Sequence, residues 1–100
     1  MITILKFYAA WCKPCAILSG RLEEFEDIIT NVNIEEEPQL SRDYHIRHVP
    51  TLVFLKDGKE VHRTTLLLSP KEFQSILDEL NDSSTDEFKI DSIIDNFKEE

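Results

Sequence analysis

The chain has 100 residues, 41% of them hydrophobic, which is enough to bury one compact core and too little for two. Its formal charge of −9 argues against a phosphate-binding surface, because nucleic-acid affinity rests largely on clustered Lys and Arg. Much of the acidity falls in residues 23–37 and in the last twenty positions, where it reads as a solvated, solubilising face.

The opening Met1-Ile2-Thr3-Ile4-Leu5-Lys6-Phe7 lacks a basic leader and its apolar run is interrupted by Lys6, so no secretory signal is expected. No stretch has the length to span a bilayer. Residues 2–8 form a β-rich apolar run of strand length, and Ala9-Ala10-Trp11 is a turn. Cys12-Lys13-Pro14-Cys15 then opens a helix predicted over 12–29, with Ile17, Leu18, Leu22, Phe25 and Ile29 on one apolar face and Gly20 weakening its middle. These are the only two cysteines in the chain. Two intervening residues bring the sulfurs close enough on a first helical turn to form and break a disulfide, and a helix N-terminus favours the thiolate. So few thiols make a poor disulfide framework for a secreted mini-domain, and a reducing cytoplasm is the expected compartment.

A short strand over 32–34 follows, then a short helix over 37–45 carrying Leu40 and Tyr44, which Val49-Pro50 brings to a stop. Residues 51–55 read as a strong strand. Lys56-Asp57-Gly58-Lys59 supplies a turn with a glycine suited to positive φ, and 60–67 returns as the second arm of an antiparallel hairpin. Ser69 caps a further helix, with Pro70 at its first position, Glu72 completing a capping box and Phe73, Ile76, Leu77 and Leu80 as its buried stripe. The order is βαβαββα, an α/β fold. Residues 1–81 are the expected domain. Residues 82–100 are expected to supply a polar linker, begun by Asn81, and an amphipathic C-terminal helix through Phe88, Ile90, Ile93, Ile94 and Phe97 that packs on the same domain.

Over most of residues 2–81 the chain resembles the thioredoxin family. Phe7-Tyr8-Ala9-Ala10-Trp11-Cys12-Lys13-Pro14-Cys15 is similar to the family's redox segment, and Val49-Pro50-Thr51 to its second hallmark. The resemblance implies a central mixed sheet of about four strands flanked by helices, and a cis bond before Pro50, the one type of peptide bond whose cis form is inexpensive. It implies a protein-disulfide reductase in which Cys12 is the exposed nucleophile and Cys15, deeper and more shielded, resolves the mixed disulfide. Trp11, Pro14, Val49 and Pro50 would contact substrate, with a buried core position as the plainer fate for Trp11. The partners implied are client proteins with disulfides and a reductase-like or other dithiol electron donor. No metal or organic cofactor is implied, and the chain is expected to act as a monomer.

Four departures individualise the chain. Lys6 stands where the family commonly carries a buried acid. It either approaches the dithiol from below or snorkels to solvent, and snorkelling is the expectation because long cationic side chains rarely stay buried unpaired. A lysine that stays near would favour thiolate, so Lys6 and Lys13 are candidates for raising the reduction potential. His48 occupies a position that is usually small, where it either exchanges protons with the dithiol or shapes the substrate groove. Leu67 replaces a glycine that lets partners approach closely. The family's usual first strand and helix are absent, and the C-terminal helix is the candidate cover for the face they would occupy.

Two other function classes compete. Cys12, Cys15, His45 and His48 offer two sulfurs and two nitrogens to zinc, although the histidine spacing is tighter than in zinc fingers. A non-catalytic interaction subunit on the same fold is the other, since fold and function are separable.

Overall fold

The computed structural model describes residues 2–83, and the expected C-terminal helix lies outside them. Strand β1 (Ile2–Tyr8) is central because both faces of its alternating pattern are covered. It pairs in parallel with β2 (Ile29–Asn33) and antiparallel with β3 (Thr51–Lys56), which pairs antiparallel with β4 (Lys59–Thr64). The four-stranded order is β2-β1-β3-β4, the mixed sheet expected. Helix α1 (Lys13–Arg21) with its C-cap Leu22, and helix α3 (Pro70–Ser83), supply Leu18, Leu22, Phe73 and Leu77 to a core that also takes Ile4 from β1 and Leu52 and Phe54 from β3. The other face packs Phe7, Val32, Val53 and Leu55 beneath Leu40 and Tyr44, from the short helix α2 (Pro38–Asp43) and its C-cap.

The helix predicted over 12–29 is shorter than expected. α1 ends at Arg21, Glu23–Ile28 forms a 3₁₀ segment, and Ile29 already belongs to β2 as the partner of Ile4. Gly20 weakens the last turn, and the β-branched run Ile28-Ile29-Thr30 fits a pleated strand better than a helix. Within α1 the buried residues are Cys15 and Leu18, and Ile17, expected on the apolar face, lies exposed.

The hairpin turn between β3 and β4 uses positive φ at both central residues, Asp57 at 53° and Gly58 at 84°, which matches the twist of the flanking strands. β4 stops at Thr64, three residues earlier than predicted, because the Thr64 hydroxyl accepts from the Leu66 amide and turns the chain out of the sheet. Leu68 then enters the main core with half-buried Leu67 packed against it, while Leu66 stays exposed.

Two caps set where chain segments leave the helices. At the end of α2, His45 adopts a left-handed φ of 55°, its amide donates to the Arg42 carbonyl and that of Ile46 to the Ser41 carbonyl. This paired closure aims residues 46–50 across the end of the sheet. At the start of α3, the Ser69 hydroxyl accepts from the Glu72 amide at 3.1 Å and the Glu72 carboxylate accepts from the Ser69 amide at 2.8 Å, the capping box expected. The helix continues through Ser83, so Asn81 to Ser83 extend α3 instead of starting a linker.

Replacing Ser69 with Ala removes one arm of that box and is expected to lower stability by about 1 kcal/mol. Urea unfolding should report this as a lower midpoint with an unchanged slope, and Ser69→Asp, which keeps an acceptor, should recover most of it.

Candidate functional site

At the end of β1 the chain turns sharply, with the Cys12 amide donating to the Ala9 carbonyl at 3.1 Å. Cys12 has extended backbone angles and serves as the N-cap of α1, so its sulfur takes the place that a serine or aspartate oxygen usually fills. The Cys15 amide donates to Cys12 Sγ at 3.2 Å. Pro14 lies in the first turn, where its missing N–H forfeits no intrahelical bond. The two sulfurs are joined as a disulfide, with the Cα atoms 5.2 Å apart.

Val49-Pro50 is a cis peptide bond, and the Val49 carbonyl oxygen lies 3.6 Å from Cys12 Sγ. Val49, Tyr8 and Ile34 pack around the buried group formed by Ala9, Cys12 and Cys15. The Thr51 hydroxyl donates to the His48 carbonyl at 2.6 Å and tethers the loop to β3. A charge developing on Cys12 would therefore meet an amide donor on one side, and a Cys12 thiol an acceptor on the other.

The expected contrast in exposure is small. Cys12 is 7% exposed and Cys15 3%, so Cys12 is less open than a free nucleophile would be. What separates the two sulfurs is the helix N-terminus, where the amide donor faces Cys12.

Trp11 is not a core residue. It is 65% exposed, and its indole N–H donates to Glu35 at 2.9 Å. With Ile34, Ile46, Arg47, His48 and Val49 it lines a groove beside the dithiol. His48 is exposed in that groove and makes no hydrogen bond to either sulfur. Lys13 and Pro14 are exposed at the start of α1.

Lys6 does not snorkel. It is 2% exposed, on the α1 side of the sheet, and its ammonium donates to the Ser19 hydroxyl. Ser19 sits four residues after Cys15, on the same helix face. It lines both the shallow cavity beside Cys12 and Cys15 and the adjoining one lined by Lys6, Glu23, Glu26 and Asn31. Burial pushes the Lys6 pKa down, and the charge of Glu26 partly opposes this. Among the described residues no group of three or more His, Cys, Asp or Glu side chains is placed to hold a metal, so His45 and His48 do not complete a zinc site with the dithiol.

Ser19, Glu35 and Arg47 were missed at the level of sequence. The i, i+4 relation of Cys15 and Ser19 was a readable signal for the first. Nothing local marks Glu35 as the partner of Trp11, because the turn that brings it there forms only after β2 pairs with β1.

Known proteins share this arrangement of sheet, helices and dithiol. Residues 1–82 match the family model described as Thioredoxin. The chain is 35% identical to a thioredoxin of Chlamydia caviae, with 83% of each covered, and 33% identical to thioredoxin 2 of Chlorobaculum tepidum, with 78% and 77% covered. Among solved structures, a point-mutant thioredoxin from Halobacterium salinarum superposes with a TM-score of 0.72 at 27% identity, covering 78% of this chain and 73% of that one.

Burial of Lys6 makes stability depend on pH. Because its folded pKa lies below the ordinary value of 10.5, the unfolded chain holds more protons between the two values, and stability rises with pH across that window. The cost of burying the charge is fully present below the lowered pKa. Lys6→Met in the oxidised protein is expected to raise the unfolding free energy at pH 7 by about 1 kcal/mol, read as a higher urea midpoint at unchanged slope. Its advantage over the parent should shrink as the pH approaches 10.5, whereas a constant advantage would mean that Lys6 is not buried as a charge.

Proposed function

The chain belongs to the thioredoxin family and is a thiol-disulfide oxidoreductase that reduces protein disulfides, and from that premise we propose how its own residues divide the work. The observation that carries the division is the Cys15 amide aimed at Cys12 Sγ. Reduced Cys12 attacks as a thiolate on one sulfur of a client disulfide. This forms a Cys12–client bond and releases the other client sulfur, which takes up a proton. Cys15 gives up its proton and attacks Cys12 Sγ, which closes the Cys12–Cys15 disulfide and releases the second client thiol. The client gains two electrons and two protons, and a dithiol donor returns the pair to the reduced state. Both electrons pass between sulfur atoms, so neither metal nor organic cofactor takes part.

Trp11, Pro14, Val49 and Pro50 hold the client. Exposed Trp11 offers an apolar plate beside the reacting sulfur, and the loop through Val49-Pro50 presents backbone on the opposite side. Lys6, Lys13 and His48 tune the couple. A cation near the dithiol favours the thiolate form and so stabilises the reduced state, which raises the potential. The coupling is mutual, since a thiolate above Ser19 also draws the proton back onto Lys6. The protein works as a monomer in a reducing cytoplasm, a compartment consistent with a chain whose only two cysteines are the reactive pair. No helix among the described residues is long and apolar enough to cross a membrane.

In an insulin-reduction assay driven by dithiothreitol, Cys12→Ser should fall to the uncatalysed background. Cys15→Ser should instead accumulate one client chain per protein as a mixed disulfide visible by non-reducing mass analysis. Trapping by Cys12→Ser and not by Cys15→Ser would reverse the two roles. In a glutathione redox titration, Lys6→Asp should lower the potential by ~10–30 mV and Lys13→Gly should lower it by less. Unchanged potentials in both would remove the tuning role.

A further inference from the structure

The groove beside the dithiol carries a charge pattern opposite to that of the chain. The protein as a whole is at −9, yet Arg47 and His48 line the groove, and Lys13 is exposed next to Cys12. The fold treats its arginines differently. Arg21 donates to the Leu67 carbonyl at 2.6 Å, Arg42 to Gln39 at 3.1 Å, and Arg63 is paired with Glu60. Arg47 alone makes no hydrogen bond or ion pair among the described residues. Lys13 and the His48 side chain are likewise unpartnered there. Glu35, the acid next in sequence to the groove residue Ile34, is already engaged by the Trp11 indole.

A carboxylate complements this charge, and a guanidinium, more weakly hydrated than an ammonium, binds it through two parallel hydrogen bonds. From this charge complementarity we propose that the groove selects client disulfides whose cysteine is flanked by acidic residues. The client segment lies against Trp11, Ile34 and Ile46 and places a carboxylate on Arg47. A second acid reaches Lys13, exposed beside Cys12. Selection is a short-range effect, because at longer distances the acidic chain repels an acidic client. The inference rests on the assignment of this site as a disulfide reductase and adds the class of substrate to it.

Two disulfide-linked peptides of identical composition separate the local effect from net charge. One carries Glu on both sides of its cysteine and Lys at its far end, and the other exchanges these positions. With dithiothreitol as reductant, the parent protein is expected to show a kcat/KM about five- to tenfold higher for the Glu-flanked peptide. Arg47→Gln should bring the ratio towards one and Arg47→Glu should invert it. Lys71→Gln makes the same charge change as Arg47→Gln on α3, outside the groove, and should leave the ratio intact. Arg47 has no partner to lose among the described residues, and circular dichroism verifies that its variants fold. Turnover of both peptides at equal rates overturns the selection while leaving the reductase assignment standing. Failure to turn over either peptide overturns both.

Discussion

The hydrogen bond from the Cys15 amide to Cys12 Sγ depends on a single constraint, that the chain passes from strand to helix within a few residues. Cys12 must be extended enough to end the turn after β1 and yet serve as the cap of α1. A cap is an acceptor position by construction, because the first amides of a helix have no internal partner. Placing sulfur there gives that sulfur a donor it need not reorganise to meet. Pro14 suits the same turn for the same reason, having no amide to satisfy. The cis bond at Val49-Pro50 and the paired closure after α2 bring the second wall to this point, so the site is assembled from two loops at one end of the sheet.

Beneath the dithiol, the sheet accepts a residue that its own pattern argues against. The positions alternating with Lys6 on β1 are Ile4 and Tyr8, and the face is covered by α1. A lysine here is retained against the cost of desolvation, eased by one hydroxyl and by Glu26 at a distance. Ser19 links this cation to the cavity that also borders the sulfurs. On the proposed tuning role, stability and redox chemistry would meet in this one side chain, which is joined to the dithiol cavity through Ser19.

Features encoded by short, local rules were legible in the sequence. The capping box at Ser69 and Glu72, the Asp57-Gly58 turn and the redox segment each depend on neighbours within four residues, and each appears where expected. The end of α1 was not legible, because apolar spacing carried the helix to Ile29 while the β-branched run there was claimed by pairing with Ile4. Lys6 departed from the expectation of exposure, since its partner on α1 exists only once helix and strand are packed. Arg47 and Glu35 belong to the same class. One is notable for having no partner among the described residues and the other for having Trp11, and both facts are properties of the folded chain.

On the proposed division of roles, the helix N-terminus makes Cys12, and not Cys15, the reactive thiolate. Iodoacetamide alkylation of the fully reduced protein across pH, with the rate at each cysteine resolved by mass spectrometry, addresses it directly. Cys12 should become reactive at a pH below that at which a free cysteine ionises, near ~8.5, and well below the onset at Cys15. Parallel onsets at the pH of a free thiol, or an earlier onset at Cys15, would contradict the account.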